Sequence, residues 1–272
     1  MWRVLRGRAA AAPWRAAAPC RAAAPGAWTV TRRTLCAAAP PPKPVPSVVS
    51  ELERLQSTSP WWQASLLRIG GVFSDEQWQA AAGSDLYVNV TRHEAEHHAV
   101  LVAHGSVPDR FYSRLQMRGL LCWLAHVRLR QEESKRFGTL FRETMEKVWQ
   151  QAELDLTREF EMGYVQMAKH IKAAQLSWHG MCKHLDEALA SDAPREQMSR
   201  VLLRNVYVDE EGEPLVCEEG KPTAEAIAGS LWLADYLLAQ QAHQRAIESE
   251  EVLKGRLSWA PPPEPQAETQ DV

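Results

Sequence analysis

Residues 107–131 read Val107-Pro108-Asp109-Arg110-Phe111-Tyr112-Ser113-Arg114-Leu115-Gln116-Met117-Arg118-Gly119-Leu120-Leu121-Cys122-Trp123-Leu124-Ala125-His126-Val127-Arg128-Leu129-Arg130-Gln131. Phe111, Leu115, Met117, Leu121, Leu124 and Val127 recur three or four apart, the spacing of one buried helical face. Gly105 and Pro108 mark a break ahead of them, since Gly ends helices and Pro suits a first turn. The spacing therefore predicts a long helix over 108–134. Arg110, Arg114 and Arg118 recur every fourth residue, so they are expected to form a cationic line beside the apolar face.

Helical patterns continue on both sides of this stretch. Phe137, Leu140, Phe141, Met145, Val148, Trp149 and Ala152 predict a helix to about Glu161, interrupted at Gly163. Val165, Ala168, Ile171, Ala174 and Leu176 predict the next, running to about Ala190 before the turn Ser191-Asp192-Ala193-Pro194. Further helices are expected over 195–205 and from Thr223 to Lys254. Upstream, 47–56 and the segment after Pro60-Trp61-Trp62 read as short helices, the second ending at Gly70-Gly71. Ser74 with Gln77 reads as a capped start of a helix that ends near Gly83. Thr91 opens another short helix, closed by Gly105. The acidic turn Asp209–Pro214 separates Val206-Tyr207-Val208 from Leu215-Val216-Cys217, which can pair as a small hairpin near 206–217. These readings add up to an all-α bundle of about seven helices with short connections.

The first fifty residues stand apart from that bundle. They hold no acidic residue but seven arginines (Arg3, Arg6, Arg8, Arg15, Arg21, Arg32, Arg33), Lys43 and blocks of alanine. A basic, acid-free, apolar-sided segment is the pattern of an organelle transit peptide. Residues 1–36 are read as that peptide, with mitochondrial rather than chloroplast destination because no serine precedes Ser47. The proline run at 40–46 is a linker, and the Pro-rich residues 261–272 are an expected disordered tail. The chain has 31 basic and 34 acidic residues; without the seven arginines the count is 24 against 34, a net charge of −10. Such a body is no general nucleic-acid binder and would need a local basic patch. Residues 108–147, with nine basic and five acidic side chains, supply one. Cys122, Cys182 and Cys217 follow no paired spacing, so neither a disulfide framework nor a cysteine zinc site is expected. No apolar run is long enough to cross a bilayer.

One segment carries the pattern of an enzyme. His93-Glu94-Ala95-Glu96-His97 places two His four apart on a helix with an adjacent Glu, the arrangement of a zinc peptidase. A third ligand would have to come from His104, Glu132 or Glu133. The competing account is a capping box in which Thr91 and Glu94 close the start of an exposed helix, and it explains the same residues more economically. His179, Cys182 and His184 form no constellation, and no phosphate loop, nucleophile elbow or dinucleotide fingerprint occurs.

The stretch quoted first also resembles the ubiquinol–cytochrome c chaperone family, assembly factors of respiratory complex III. The resemblance lies in Pro108-Asp109, Phe111, Ser113, Trp123 and Val127-Arg128, followed in order by four further features. These are Trp149; Trp178-His179-Gly180 with Asp186-Glu187-Ala188-Leu189; Leu203-Arg204-Asn205-Val206-Tyr207; and Gly255-Arg256-Leu257-Ser258-Trp259. It covers residues 107–260, making 48–106 an N-terminal helical extension. The resemblance implies a non-catalytic protein without cofactor or metal. It implies a chaperone on the matrix side of the mitochondrial inner membrane, associated with the membrane peripherally. Its client would be newly made cytochrome b, held with a small partner factor near the mitochondrial ribosome. On this reading Arg110, Arg114, Arg118 and Arg128 are candidates for contact with the ribosome or partner. Trp123, Trp149 and Trp178 are candidates for a client groove, with core packing the default for each.

Overall fold

A computed structural model describes residues 46–132, 137–160, 163–208, 215 and 221–263. The transit-peptide reading of 1–36 lies outside them, as does most of the hairpin and the tail from residue 264. Nine helices occur among the described residues: α1 (Val48–Thr58), α2 (Trp61–Ile69), α3 (Asp75–Ala103), α4 (Phe111–Leu129), α5 (Phe137–Phe160), α6 (Tyr164–Leu189), α7 (Pro194–Asn205), α8 (Ala224–Arg245) and α9 (Ser249–Leu253). The expected all-α bundle is therefore present, with two of the expected helices fused into α3 and one divided into α8 and α9. No strand occurs among the described residues. Of the expected hairpin only one backbone bond is described, Leu215 N–H to the Tyr207 carbonyl at 2.9 Å.

Helix α4 forms the centre. Leu120, Leu121, Cys122, Trp123, Leu124 and Ala125 are all essentially inaccessible, so this helix is apolar around its circumference rather than on one face. It packs against α3, α5, α6 and α8. The helix starts three residues later than Pro108 suggested, at Phe111, with Arg110 in extended conformation just before it.

The largest departure from the sequence reading is α3. Two short helices were expected, split near Gly83 and restarted at Thr91; the chain instead runs unbroken from Asp75 to Ala103. Ser74 does cap its start, accepting from Gln77 N–H at 3.3 Å. Thr91 caps nothing: its hydroxyl donates back to the carbonyls of Tyr87 (2.9 Å) and Val88 (3.2 Å) in mid-helix. Gly83 is not a terminator but a contact point. A Cβ there would stand 2.5 Å from the Leu140 carbonyl of α5, and the Thr144 hydroxyl donates to the Gly83 carbonyl at 3.1 Å. Glycine is needed because the two backbones nearly touch.

The helix expected over 223–254 is likewise two. Helix α8 stops at Arg245 and α9 restarts at Ser249. No Gly or Pro announces this break. Arg128 stabilises it, donating from Nε to the Gln244 carbonyl (2.9 Å) and from Nη2 to the Ile247 carbonyl (2.7 Å). The first is a carbonyl of the last turn of α8, which a helix end leaves without an intrahelical donor; the second belongs to the link between the two helices. After α9 the chain turns at Gly255, where φ is +73° and a Cβ would collide with the Ala82 carbonyl. Residues 256–260 then lie as a strap over α3 and α8. Asn89 Nδ2 donates to the Leu257 carbonyl (2.7 Å), Trp259 Nε1 to Asn89 Oδ1 (2.5 Å), and Gln240 exchanges two hydrogen bonds with Ala260 (2.6 and 2.9 Å).

Candidate client-binding surfaces

The zinc-peptidase pattern dissolves on inspection of its atoms. His93 is buried, shares a 2.6 Å hydrogen bond between Nε2 and the Tyr236 hydroxyl, and stacks on Trp259 with ring centres 4.6 Å apart. Burial, reinforced by His97, pushes its pKa down to about 4. The helix is thus not the exposed one expected. Glu94 accepts from Arg118 Nε at 2.7 Å. Burial raises the Glu94 carboxyl above its ordinary value, against the pull of that guanidinium. His97 Nδ1 faces the His93 carbonyl at 3.1 Å. Glu132, a suggested third ligand, pairs with Arg128 and accepts from Ser249 at 2.9 Å; Glu133 lies outside the described residues. His93 Nε2 and Glu94 Oε2, two of the atoms the chemistry would need, are thus already held within the fold, and His104 is the exposed C-cap of α3.

The arginine line is divided by the same contacts. Arg118 is inside, held by Glu94. Arg128 is inside, spent on the α8–α9 break. Arg114 is about one-third exposed and pairs with Asp109 at 3.2 Å. Arg110 is half-buried. So the four do not make one continuous solvent-facing strip, because α4 is enclosed on more sides than a single apolar face requires.

The tryptophans divide similarly. Trp123 is fully buried and donates from Nε1 to Asp186 at 2.9 Å. Asp186 also takes two bonds from Arg130 (2.7 and 2.8 Å). Trp178 is 6% exposed, donates to the Gly119 carbonyl at 3.2 Å, and meets Trp149 edge to face at 6.3 Å. Trp149 is half-buried. Trp123 and Trp178 are packing residues here. Cys122 is sealed in the core, its thiol pushed up to about 12 by burial, which leaves it inert as a nucleophile.

The exposed apolar side chains are elsewhere, and the sequence reading missed them. Within α5 and α6, Leu154 is 49% exposed, Tyr164 78%, Val165 69% and Leu176 66%. Val165 and Leu176 had been counted with the buried stripe of α6. That stripe is instead Met167, Ile171, Ala174, Trp178, Met181 and Leu185. At ~100° per residue, Val165, Lys169, Lys172, Leu176, His179 and Lys183 fall on the opposite side. No Asp or Glu occurs between Gly163 and Leu185, so this outer line alternates apolar groups with cations. The phase of the two stripes was the available signal. Beside it, the groove between α6 and α7 is lined by His184, Glu187, Arg200 and Arg204.

Comparison with known proteins places this bundle. The pattern of the ubiquinol–cytochrome C chaperone family matches residues 103–259, more than half of the chain. The chain belongs to the ubiquinol–cytochrome c chaperone family. Its fold is similar to that in the crystal structure of the Cbp3 homolog from Brucella abortus. That similarity has a TM-score of 0.54 at 21% identity, and covers 72% of this chain and 96% of that one. No curated protein matches. The family's matched region starts at the end of α3 and ends on Trp259, so it takes in α4 to α9 and the strap. It includes the outer face of α6 but excludes α1, α2 and nearly all of α3.

Proposed function

We propose that this protein is an assembly chaperone of mitochondrial respiratory complex III that holds newly made cytochrome b. It acts on the matrix side of the inner membrane, with a small partner factor, close to the mitochondrial ribosome. The observation that carries this reading is the family match over 103–259, combined with apolar side chains left exposed on α5 and α6 inside that region. A protein that receives hydrophobic segments must itself display apolar surface in water. The outer line of α6 offers Val165 and Leu176 for the client's apolar residues, with exposed Tyr164 at the start of the helix beside them. Lys169, Lys172 and Lys183 keep that face soluble and favour an acidic or phosphate-bearing neighbour. Trp149 is the tryptophan of the expected groove best placed to join a client contact, since Trp123 and Trp178 are enclosed. Arg110 and Arg114 keep the role of partner or ribosome contacts; Arg118 and Arg128 act by holding the fold. The acid-free first fifty residues support mitochondrial import. Among the described residues no helix is long and apolar enough to cross a membrane, which agrees with peripheral attachment. Function is then reversible binding, with no chemical step.

The test is isolation of tagged protein from detergent-solubilised mitochondria that are still translating. Cytochrome b should co-purify among the newly made products, and Val165→Asp with Leu176→Asp should reduce its recovery several-fold. Recovery of other newly made proteins but not cytochrome b would overturn the reading. Undiminished recovery by the double variant would move the client site away from α6.

A further inference from the structure

Four of the largest exposed apolar side chains lie outside the family's matched region, on a helix of nine residues. In α2, Trp61 is 82% exposed, Trp62 55%, Leu66 62% and Ile69 85%, and no residue of the helix is buried. At ~100° per residue, Trp62, Leu66 and Ile69 share one side. Gln63, Ala64 and Leu67, on the other side, are the half-buried ones. The helix is amphipathic with its apolar side outward, the reverse of a helix that serves a core.

From these residues we infer that α2 is the element by which the protein seats itself on a lipid bilayer, lying in the interface with its tryptophans at headgroup level. This rests on the proposal that the protein works at the inner membrane, and it names the part that touches lipid. Three observations select a bilayer over other occupants. The first is charge: no Asp or Glu occurs between Glu53 and Asp75. Arg54 is paired with Glu51 at 2.5 Å, while Arg68 stands exposed in the last turn of α2. An acid-free segment within an otherwise acidic chain suits an anionic headgroup layer. The second is side-chain chemistry: adjacent tryptophans, each with an apolar ring and one N–H donor, favour the membrane–water boundary. The third is area. The four side chains offer roughly 600 Å² counting ~150–250 Å² per aromatic. A stable protein interface needs ~800 Å² on each partner, so a second copy docking here alone would fall short. One arginine is too little for nucleic acid.

The experiment uses protein purified from its native compartment and cosedimentation with two kinds of vesicle, phosphatidylcholine alone and phosphatidylcholine with cardiolipin. Wild type should bind the cardiolipin vesicles, and the pure phosphatidylcholine vesicles more weakly. Trp61→Ser with Trp62→Ser should lower binding to both by tenfold or more, and Arg68→Glu should lower only the cardiolipin component. Because these side chains are exposed, unchanged thermal unfolding will show that the variants fold. Binding by the tryptophan variant equal to wild type overturns the inference, as does wild type that binds neither vesicle. Light scattering that shows a dimer dependent on Trp61 and Trp62 would also overturn it. Cytochrome b capture is measured on the same variant in detergent extract, where no bilayer is present. Capture retained while vesicle binding is lost supports the assignment of α2. Capture absent in wild type condemns the chaperone reading without touching that assignment.

Discussion

At the scale of single residues, the polar groups that looked functional turn out to hold the core, and their energetics follow. Glu94 and Arg118 are both nearly enclosed, with side-chain exposures of 9% and 16%. Removing one partner of such a pair strands the other's charge in a poorly solvated site, at a cost of about 3–5 kcal/mol, whereas replacing both with apolar groups is far milder. Arg118→Met should therefore lower the urea midpoint strongly. Glu94→Leu combined with Arg118→Met should recover much of the loss, and a double variant as unstable as the single would show the pair contributes little. His93 makes a pH prediction. Its pKa falls from 6.5 in the unfolded chain to about 4 in the folded one. Between those values the unfolded state binds more protons, so stability rises with pH. The contribution is complete above pH 6.5 and lost as pH falls toward 4, up to about 3 kcal/mol at ~1.4 kcal/mol per pKa unit. Unfolding midpoints measured from pH 7 to 4 should fall less in His93→Gln, which can still hydrogen-bond Tyr236. Equal slopes would mean that His93 does not titrate in this window.

At the scale of helices, close backbone approach decides more than propensity. Gly83→Ala should gain about 0.5–1 kcal/mol of helix propensity. The new methyl must nevertheless find room 2.5 Å from the Leu140 carbonyl. Forcing α3 and α5 apart costs about 1–3 kcal/mol, in the range of overpacked cores. The net effect is a lowered melting temperature, and a raised one would show that the helices separate without penalty. This contact also explains where the sequence was readable. Helices α5, α6 and α7 each meet the core along one side, so their apolar spacing gave them within a few residues. Helix α3 meets α1, α4 and α5 and lies under the strap, and its buried positions Ala82, Leu86, Val90, His93, Glu94 and Leu101 fall within about 120° of arc. That stripe includes the polar His93 and Glu94, while Val88, Ala95 and Val102 put apolar groups on the other side, so the contrast between faces is weak, and Gly83 and Thr91 then passed for its boundaries. The α8–α9 break was hidden for a different reason, since its stabilising group, Arg128, is 116 residues from the Gln244 carbonyl. The candidate site suffered from phase. Val165 and Leu176 are apolar at helical spacing, and only the packing shows that they form the outer line.

At the scale of the molecule, α3 is the mast to which both ends of the described chain are tied. The strap and Gly255 lie against it from one end of the sequence; α1 is tied from the other. Asp85 is the knot for α1. Its carboxylate accepts from the Ser47 hydroxyl (2.6 Å) and from the backbone N–H groups of Val48 (2.8 Å) and Val49 (3.0 Å). These amides open α1, where a helix has donors without intrahelical acceptors and a partial positive charge. One carboxylate from α3 therefore caps and anchors α1 together. A second tether is weaker: Lys254 and Arg256 reach Glu53 across partly exposed pairs at 3.3 and 3.4 Å, the kind worth at most ~1 kcal/mol. Val49 is the one fully buried α1 side chain, with Leu52 packed half-buried against the core, so limited apolar burial would hold α1 once the Asp85 bonds are gone. Asp85→Ala should thus loosen α1 without unfolding the bundle. Hydrogen exchange should quicken over residues 48–58 and stay unchanged over 111–129, because local opening draws only on local contacts. Quickening across both segments would mean that α1 and α4 unfold as one unit. No change in either would mean that Asp85 holds nothing that Val49 and the Lys254 and Arg256 pairs do not already hold.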